Sequence, residues 1–178
     1  MIFIDDSNVW IEAQKFVASG NSHIPKLQDS NRDPRLRIDI GKLVERLSRN
    51  RTQGPLFLYS SRLPLENKFD RAYSSKEKRV DNFMSVDIAT EATELQTKAK
   101  FMAKHCSDFK ATKEKDKTIF IVVTNNRNMR PAIKRVLECE IRVELWAWKS
   151  GISQVYLDLA AINSLLSVHL LDSIFKDI

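Results

Sequence analysis

Cysteine, histidine and glycine are all scarce in this chain, and each scarcity argues against a class of chemistry. The 178 residues include two cysteines, three histidines and four glycines. Cys106 and Cys139 belong to no CxxC or metal-finger spacing, so they read as reduced core thiols of a cytosolic or nuclear protein. His23, His105 and His169 are too dispersed to suggest a zinc centre. The glycines build no phosphate loop, which argues against a dinucleotide or P-loop nucleotide site, and no serine sits in a nucleophile elbow. No apolar stretch reaches the length of a membrane span. The first apolar strand begins at Ile2, which leaves no room for a signal peptide and sets the expectation of an intracellular chain.

What is present is apolar residues in quantity and an excess of positive charge. Apolar residues make up 43% of the sequence, enough for one domain over 1–178 to bury a substantial core. The net charge is +6 and the isoelectric point about 9.4. The positive residues cluster: Arg32, Arg35 and Arg37; Arg46, Arg49 and Arg51; Lys76, Lys78 and Arg79; Lys98, Lys100 and Lys104; and the stretch from Lys110 to Lys117. Such clusters suit a polyanion, because lysine and arginine at phosphates release condensed counterions. Solvated helix faces and loops are the plainer alternative, and Glu77, Glu114 and Asp116 interrupt two of the clusters.

The order of elements follows from hydrophobic periodicity. Short apolar runs at Ile2–Ile4, Leu56–Tyr59, Thr118–Val123, Ile141–Trp148 and Leu166–Leu170 read as strands. Helices are expected at Val9–Val17, Ile40–Ser48, Asn67–Tyr73, Val80–Lys104, Pro131–Leu137 and Ser153–Ala161, with Pro131 in a first turn. Ser19–Arg37, Ser60–Glu66 and the lysine-rich Ser107–Lys117 read as connections, and Asp172 onward as a last turn or helix. Alternating strands and helices predict an α/β fold of three layers, a mostly parallel central sheet with helices on both faces. Thr118–Val123 is continuously apolar, as a central parallel strand should be. Ligands of such sheets lie beyond the carboxyl ends of the strands. Asp5 and Thr124–Asn128 fall at those ends.

Carboxylates are the reactive groups available there. Asp5 and Asp6 follow the first strand, and Asp81 and Asp87 lie on the longest expected helix. Hard divalent cations take oxygen ligands, and Mg²⁺ commonly uses one or two carboxylates together with water and phosphate oxygens. Adjacent residues point in different directions, so only one of Asp5 and Asp6 is expected to face a cleft. Asp81 and Asp87 are separated by ~600° of helical rotation and share a face only if Asp81 lies at or before the helix start, where it would act as an N-cap. A receiver-type phosphoacceptor site would need a further aspartate near Leu56–Ser61. A haloacid-dehalogenase-type phosphatase would need Asp-x-Asp, which Asp5-Asp6-Ser7 breaks.

Several segments together resemble the NYN branch of the PIN-like ribonucleases. Ile2-Phe3-Ile4-Asp5-Asp6-Ser7-Asn8 is similar to the family's opening strand, aspartate and asparagine. Lys78-Arg79-Val80-Asp81, with Asp87 six residues on, resembles its second motif. Thr124-Asn125-Asn126-Arg127-Asn128-Met129 resembles the third, normally Ser/Thr-Gly-Asp-x-Asp and a hydrophobic residue. Ile141–Trp148 and Val168–Asp172 look like its C-terminal part, so the likeness runs in order from Ile2 to the end. The resemblance implies a PIN-like (Rossmannoid) fold and a Mg²⁺- or Mn²⁺-dependent endoribonuclease. Its catalytic positions would be Asp5, Asp81, Asp87, Asn126 and Asn128, with Asp5, Asp87 and Asp81 as metal ligands. Asn8, Lys78, Arg79, Arg127 and Arg130 are the candidates for RNA contact, although Asn8 can equally hold Asp5 in place.

Asn126 and Asn128 stand where the family carries aspartates. A divalent ion ~4 Å from a carboxylate gains on the order of 8 kcal/mol of gross Coulomb energy at an effective dielectric near 20. Even a small net fraction of that is a large factor in affinity. Loss of two charges therefore sets the expectation of weak or absent Mg²⁺ or Mn²⁺ binding and of weak or absent hydrolysis, while the resemblance and the basic charge imply that binding of RNA, expected to be single-stranded, is retained. Two alternatives remain open at this point. One is an active nuclease using the remaining carboxylates. The other is a protein-interaction module or homodimer, for which Trp10, Trp146 and Trp148 offer aromatic surface, though core packing is the commoner use of tryptophan.

Overall fold

The computed structural model describes residues 1–20, 36–60, 73–105 and 110–178, with side chains described throughout these except at 73–80 and 110–113. Five strands, β1 (Ile2–Asp5), β2 (Leu56–Tyr59), β3 (Ile119–Val123), β4 (Arg142–Ala147) and β5 (Leu166–Leu170), form one sheet in the order β2-β1-β3-β4-β5. Every pairing is parallel. The chain moves outward from β1 to β2, then returns past β1 to β3 and continues the other way. β1 and β3 are thus the neighbours at which the winding reverses, the place where open α/β sheets form their ligand crevice.

Side-chain alternation divides the core in two. Phe3, Phe120, Val122, Val143 and Leu145 face the helices α3 (Tyr73–His105), α5 (Arg130–Glu138) and α6 (Gln154–Ile162). Ile2, Ile4, Ile121, Val123 and Trp146 face α1 (Asp6–Ala18) and α2 (Ile40–Ser48). The register explains the division, since Ile4 pairs with Val123 and Val123 with Trp146, so each row runs across the sheet on one side. The result is three layers, as the alternation of elements predicts. Phe3 lies fully buried, its ring stacked on Phe57 at 4.8 Å and tilted against Phe120 at 5.3 Å.

Several boundaries differ from expectation for local reasons. α1 starts at Asp6 rather than Val9 because the Asp5 side chain caps it, accepting from the Asn8 N–H. α3 begins at Tyr73, before the expected Val80; residues 67–72 of the short helix expected there lie outside the described residues. The polar stretch expected as a connection contains the helix α4 (Lys110–Lys117). Its sequence has almost no apolar periodicity, and docking supplies what the sequence lacks. Glu114 pairs with Lys98 of α3 at 3.1 Å, and Lys115 pairs with Glu140 at 3.0 Å. The C-terminus is two short 3-10 turns, Leu171–Ser173 and Phe175–Asp177. Trp146 and Trp148 are core residues, while Trp10 is part-buried and donates its indole N–H to the Leu36 carbonyl. No described helix is long and apolar enough to cross a membrane.

Burial sets contrasting mutational costs. Phe3→Ala should destabilise by about 3–5 kcal/mol in urea unfolding. Phe83→Ala, at a position 64% exposed, should change stability by no more than about 0.5 kcal/mol.

Candidate functional site

Asp5 ends β1 and is 5% exposed. One carboxylate oxygen accepts the Asn8 N–H at 3.1 Å, and the other accepts the Thr124 hydroxyl at 3.3 Å. Asp6 turns away, as its position next to Asp5 requires, and accepts from the Ser60 hydroxyl at 3.1 Å. Asn8 spans the reversal of winding: its amide oxygen accepts the Asn125 N–H at 3.1 Å. That bond gives Asn8 a positioning role between α1 and the end of β3.

The end of β3 is built by short polar side chains folded back on the backbone. The Thr124 hydroxyl accepts the Asn126 N–H at 3.1 Å while donating to Asp5. The Asn125 amide oxygen accepts the Trp148 N–H at 2.9 Å, tying β3 to β4. That bond fixes the amide nitrogen toward Gly151, where it is buried without a hydrogen-bond partner. A Cβ at position 151 would lie 2.1 Å from that nitrogen, so glycine is required by close approach.

Asn126 joins the strand end to the long helix. Its amide oxygen accepts the Asn128 N–H at 2.9 Å and caps the turn Arg127–Met129. An amide with its oxygen so engaged presents its nitrogen on the other side. The nitrogen donates to Asp81 at 2.5 Å. The Tyr156 hydroxyl of α6 donates to the Asn126 carbonyl at 2.5 Å, and burial raises its phenol above the usual range. A continuous series therefore runs from Asp5 through Thr124 and Asn126 to Asp81.

Asp81 is not a helix cap, because α3 starts eight residues earlier. Asp87 does not join the series. It accepts the Tyr59 hydroxyl at 2.7 Å, on the last residue of β2. Burial, followed by the bond to Asp87, pushes the Tyr59 phenol well above its ordinary range and keeps it a donor. The six-residue separation thus turns the two aspartates to different partners, as the helical rotation requires.

Asp5, Asp81 and Asp87 turn to separate partners. Among the described residues, no three histidine, cysteine, aspartate or glutamate side chains converge as a metal site needs. Asp5, Asp81 and Asp87, the ligands that the resemblance implies for a weakly held ion, accept hydrogen bonds from Thr124, Asn126 and Tyr59 respectively.

Beside Asp81 a cavity of about 260 Å³ is lined by Asp81, Asn82, Ser85, Asn128 and Met129. Asn128, Arg127 and Arg130 are exposed at this edge. The side chains of Lys78 and Arg79 lie outside the described residues. Sequence reasoning assigned no role to Tyr59, Thr124, Asn125, Gly151 or Tyr156. Thr124 and Asn125 sit inside the segment singled out, but their parts depend on Asp5 and Trp148, distant in the chain. Comparison with models of protein families, with curated proteins and with solved structures returns no match.

Gly151→Ala should destabilise by about 1–3 kcal/mol through overpacking against Asn125. In a double-mutant cycle with Asn125→Ala the two costs should fall short of additivity, because the second change removes the obstructing amide. Additive costs in urea unfolding would show that the close approach is not the cause.

Proposed function

We propose that this chain is a single-stranded-RNA-binding domain of the PIN-like type in which metal-dependent phosphodiester cleavage is weak or lost. The observation that carries the proposal is the hydrogen bond from the Asn126 amide nitrogen to Asp81. In a carboxylate site that holds a cation, mutual repulsion among the acids is relieved by the ion. Here an amide N–H, with its partial positive charge, meets the carboxylate directly. That bond joins the strand end to the helix, and an asparagine offers no base to deprotonate water.

RNA recognition rests on the groups around this network. Arg127, in the turn before α5, and Arg130, the first residue of α5, are exposed and suit phosphate oxygens. Asn82, Ser85 and Asn128 line the adjoining cavity and offer both donors and acceptors to a base edge or a ribose hydroxyl. Asp5, with Asn8 and Thr124, positions the β3 end and lies too deep to be a first contact. The net charge of +6 supports a polyanionic ligand.

Labelled single-stranded RNA should bind with an affinity that falls steeply with salt. Arg127→Ala with Arg130→Ala should lower the salt slope by about 0.7 for each phosphate no longer neutralised. Incubation with Mg²⁺ or Mn²⁺ should leave the RNA intact. Robust turnover abolished by Asp5→Asn would overturn the proposal.

The amide bond has its own test. Asn126→Asp places a second carboxylate against Asp81, so one of the two should titrate above the ordinary carboxylate range. A raised folded-state pKa means the folded variant holds a proton that the unfolded chain releases. The variant should therefore lose stability relative to the parent as pH rises from about 4 to about 7. Thermal melts across that range report the difference, and parallel profiles for the two proteins would sink the electrostatic argument.

A further inference from the structure

The half of α3 remote from Asp81 carries a surface that the site at the sheet edge does not use. α3 runs for 33 residues, and Phe101 lies about 30 Å along its axis from Asp81 at 1.5 Å per residue. α3 follows β2 and leads toward β3, so this half lies toward the amino ends of the strands, away from the Asp5 network. Phe101 is 60% exposed. Its ring lies 4.6 Å from that of His105, tilted by 38°. Helical spacing places Lys98, Lys104 and His105 on the same face as Phe101, three or four residues away. Lys100, Lys104 and Lys117 are exposed. Between Glu94 and Lys117 there are seven lysines and four acidic residues, an excess equal to half of the chain's net +6.

We propose that this distal part of α3, with α4 docked beside it, is a second contact surface for single-stranded RNA: a base stacks on Phe101 and His105 while the surrounding lysines meet phosphates. The proposal rests on the RNA-binding reading given above and adds a separate place on the molecule. Stacking on an aromatic side chain flanked by positive charge is the general physics of sequence-tolerant single-strand binding. α4 lies beside α3, with the Lys98–Glu114 and Lys115–Glu140 pairs at its edges. A lipid surface fits less well. On this face Phe101 has Thr97 and Lys104 as neighbours, which leaves too narrow an apolar stripe for a helix lying in a membrane interface.

The test uses the full chain and a fluorescently labelled oligouridylate. Phe101→Ala should weaken binding about tenfold, in line with loss of one stacked base. Lys100→Ala with Lys104→Ala should lower the salt slope by about 1.4, the value for two phosphates on a single strand. Ultraviolet crosslinking followed by peptide mapping should mark the peptide containing Phe101, and circular dichroism should show all variants folded. RNA binding with crosslinks only around Arg127–Arg130, unaffected by Phe101→Ala, would overturn the second surface and leave the proposed function standing. Absence of salt-sensitive RNA binding by the unmodified chain would overturn both. Flotation with phosphatidylserine vesicles, lost on Phe101→Ala and unaccompanied by an RNA crosslink, would assign the surface to lipid and overturn the proposal.

Discussion

The parallel pairing of β1 with β3 is the constraint on which the site depends. Ile4 lies opposite Val123, so the next residue on each strand, Asp5 and Thr124, emerges side by side where the winding reverses. The Thr124 hydroxyl then does two things at once, donating to Asp5 and accepting from the Asn126 backbone. Both partners are needed to orient one small side chain in a buried position. A buried carboxylate without such donors would be costly. The same bonds that satisfy Asp5 also aim Asn126 at α3. Packing and site geometry are therefore one problem here, solved by residues with short polar side chains.

Hydrogen bonds tie the aspartates of this edge to their neighbours. Thr124, Asn126 and Tyr59 each donate to one of Asp5, Asp81 and Asp87. Asp87 and Tyr59 link α3 to the edge strand β2, whereas Asp81 and Asn126 link α3 to the centre of the sheet. The long helix is thus fastened at these two places, nearly two turns apart, and again farther along, where Thr93 accepts from Arg135 and Gln96 from Cys139. On α3 both carboxylates act as acceptors of bonds that join the helix to the sheet.

Much of the architecture was legible in the sequence, and the unread parts have physical reasons. The five apolar runs are short, bounded and separated by helical periodicity, so strand positions and the three-layer α/β class follow from local pattern alone. α4 escaped because it forms where the chain lies against α3, a contact that no window of Lys110–Lys117 contains. The start of α1 escaped because Asp5 is both the last strand residue and the helix cap. At the site, Asp5, Asp81 and Asn126 could be singled out as candidates, since residue type and place at a strand end or helix are local facts. Their connection was not legible. It depends on which way Asp81 turns from α3 and on the carbonyl orientation of Asn126, both settled by packing across the fold. Gly151 gave no sign of its role, because the demand for glycine arises from an amide twenty-six residues earlier.

The length of α3 has a mechanical meaning. Asp81 and Asp87 anchor one part of the helix to the sheet edge, and farther along Thr93 and Gln96 bond to Arg135 and Cys139 of the α5 region while Ala92 and Ala99 are buried. These restraints span about 22 Å of the axis at 1.5 Å per residue. A small rearrangement at the aspartates, such as exchange of the Asn126 amide for another partner, is therefore opposed along the helix by its seat on α5 and stays local to the sheet edge.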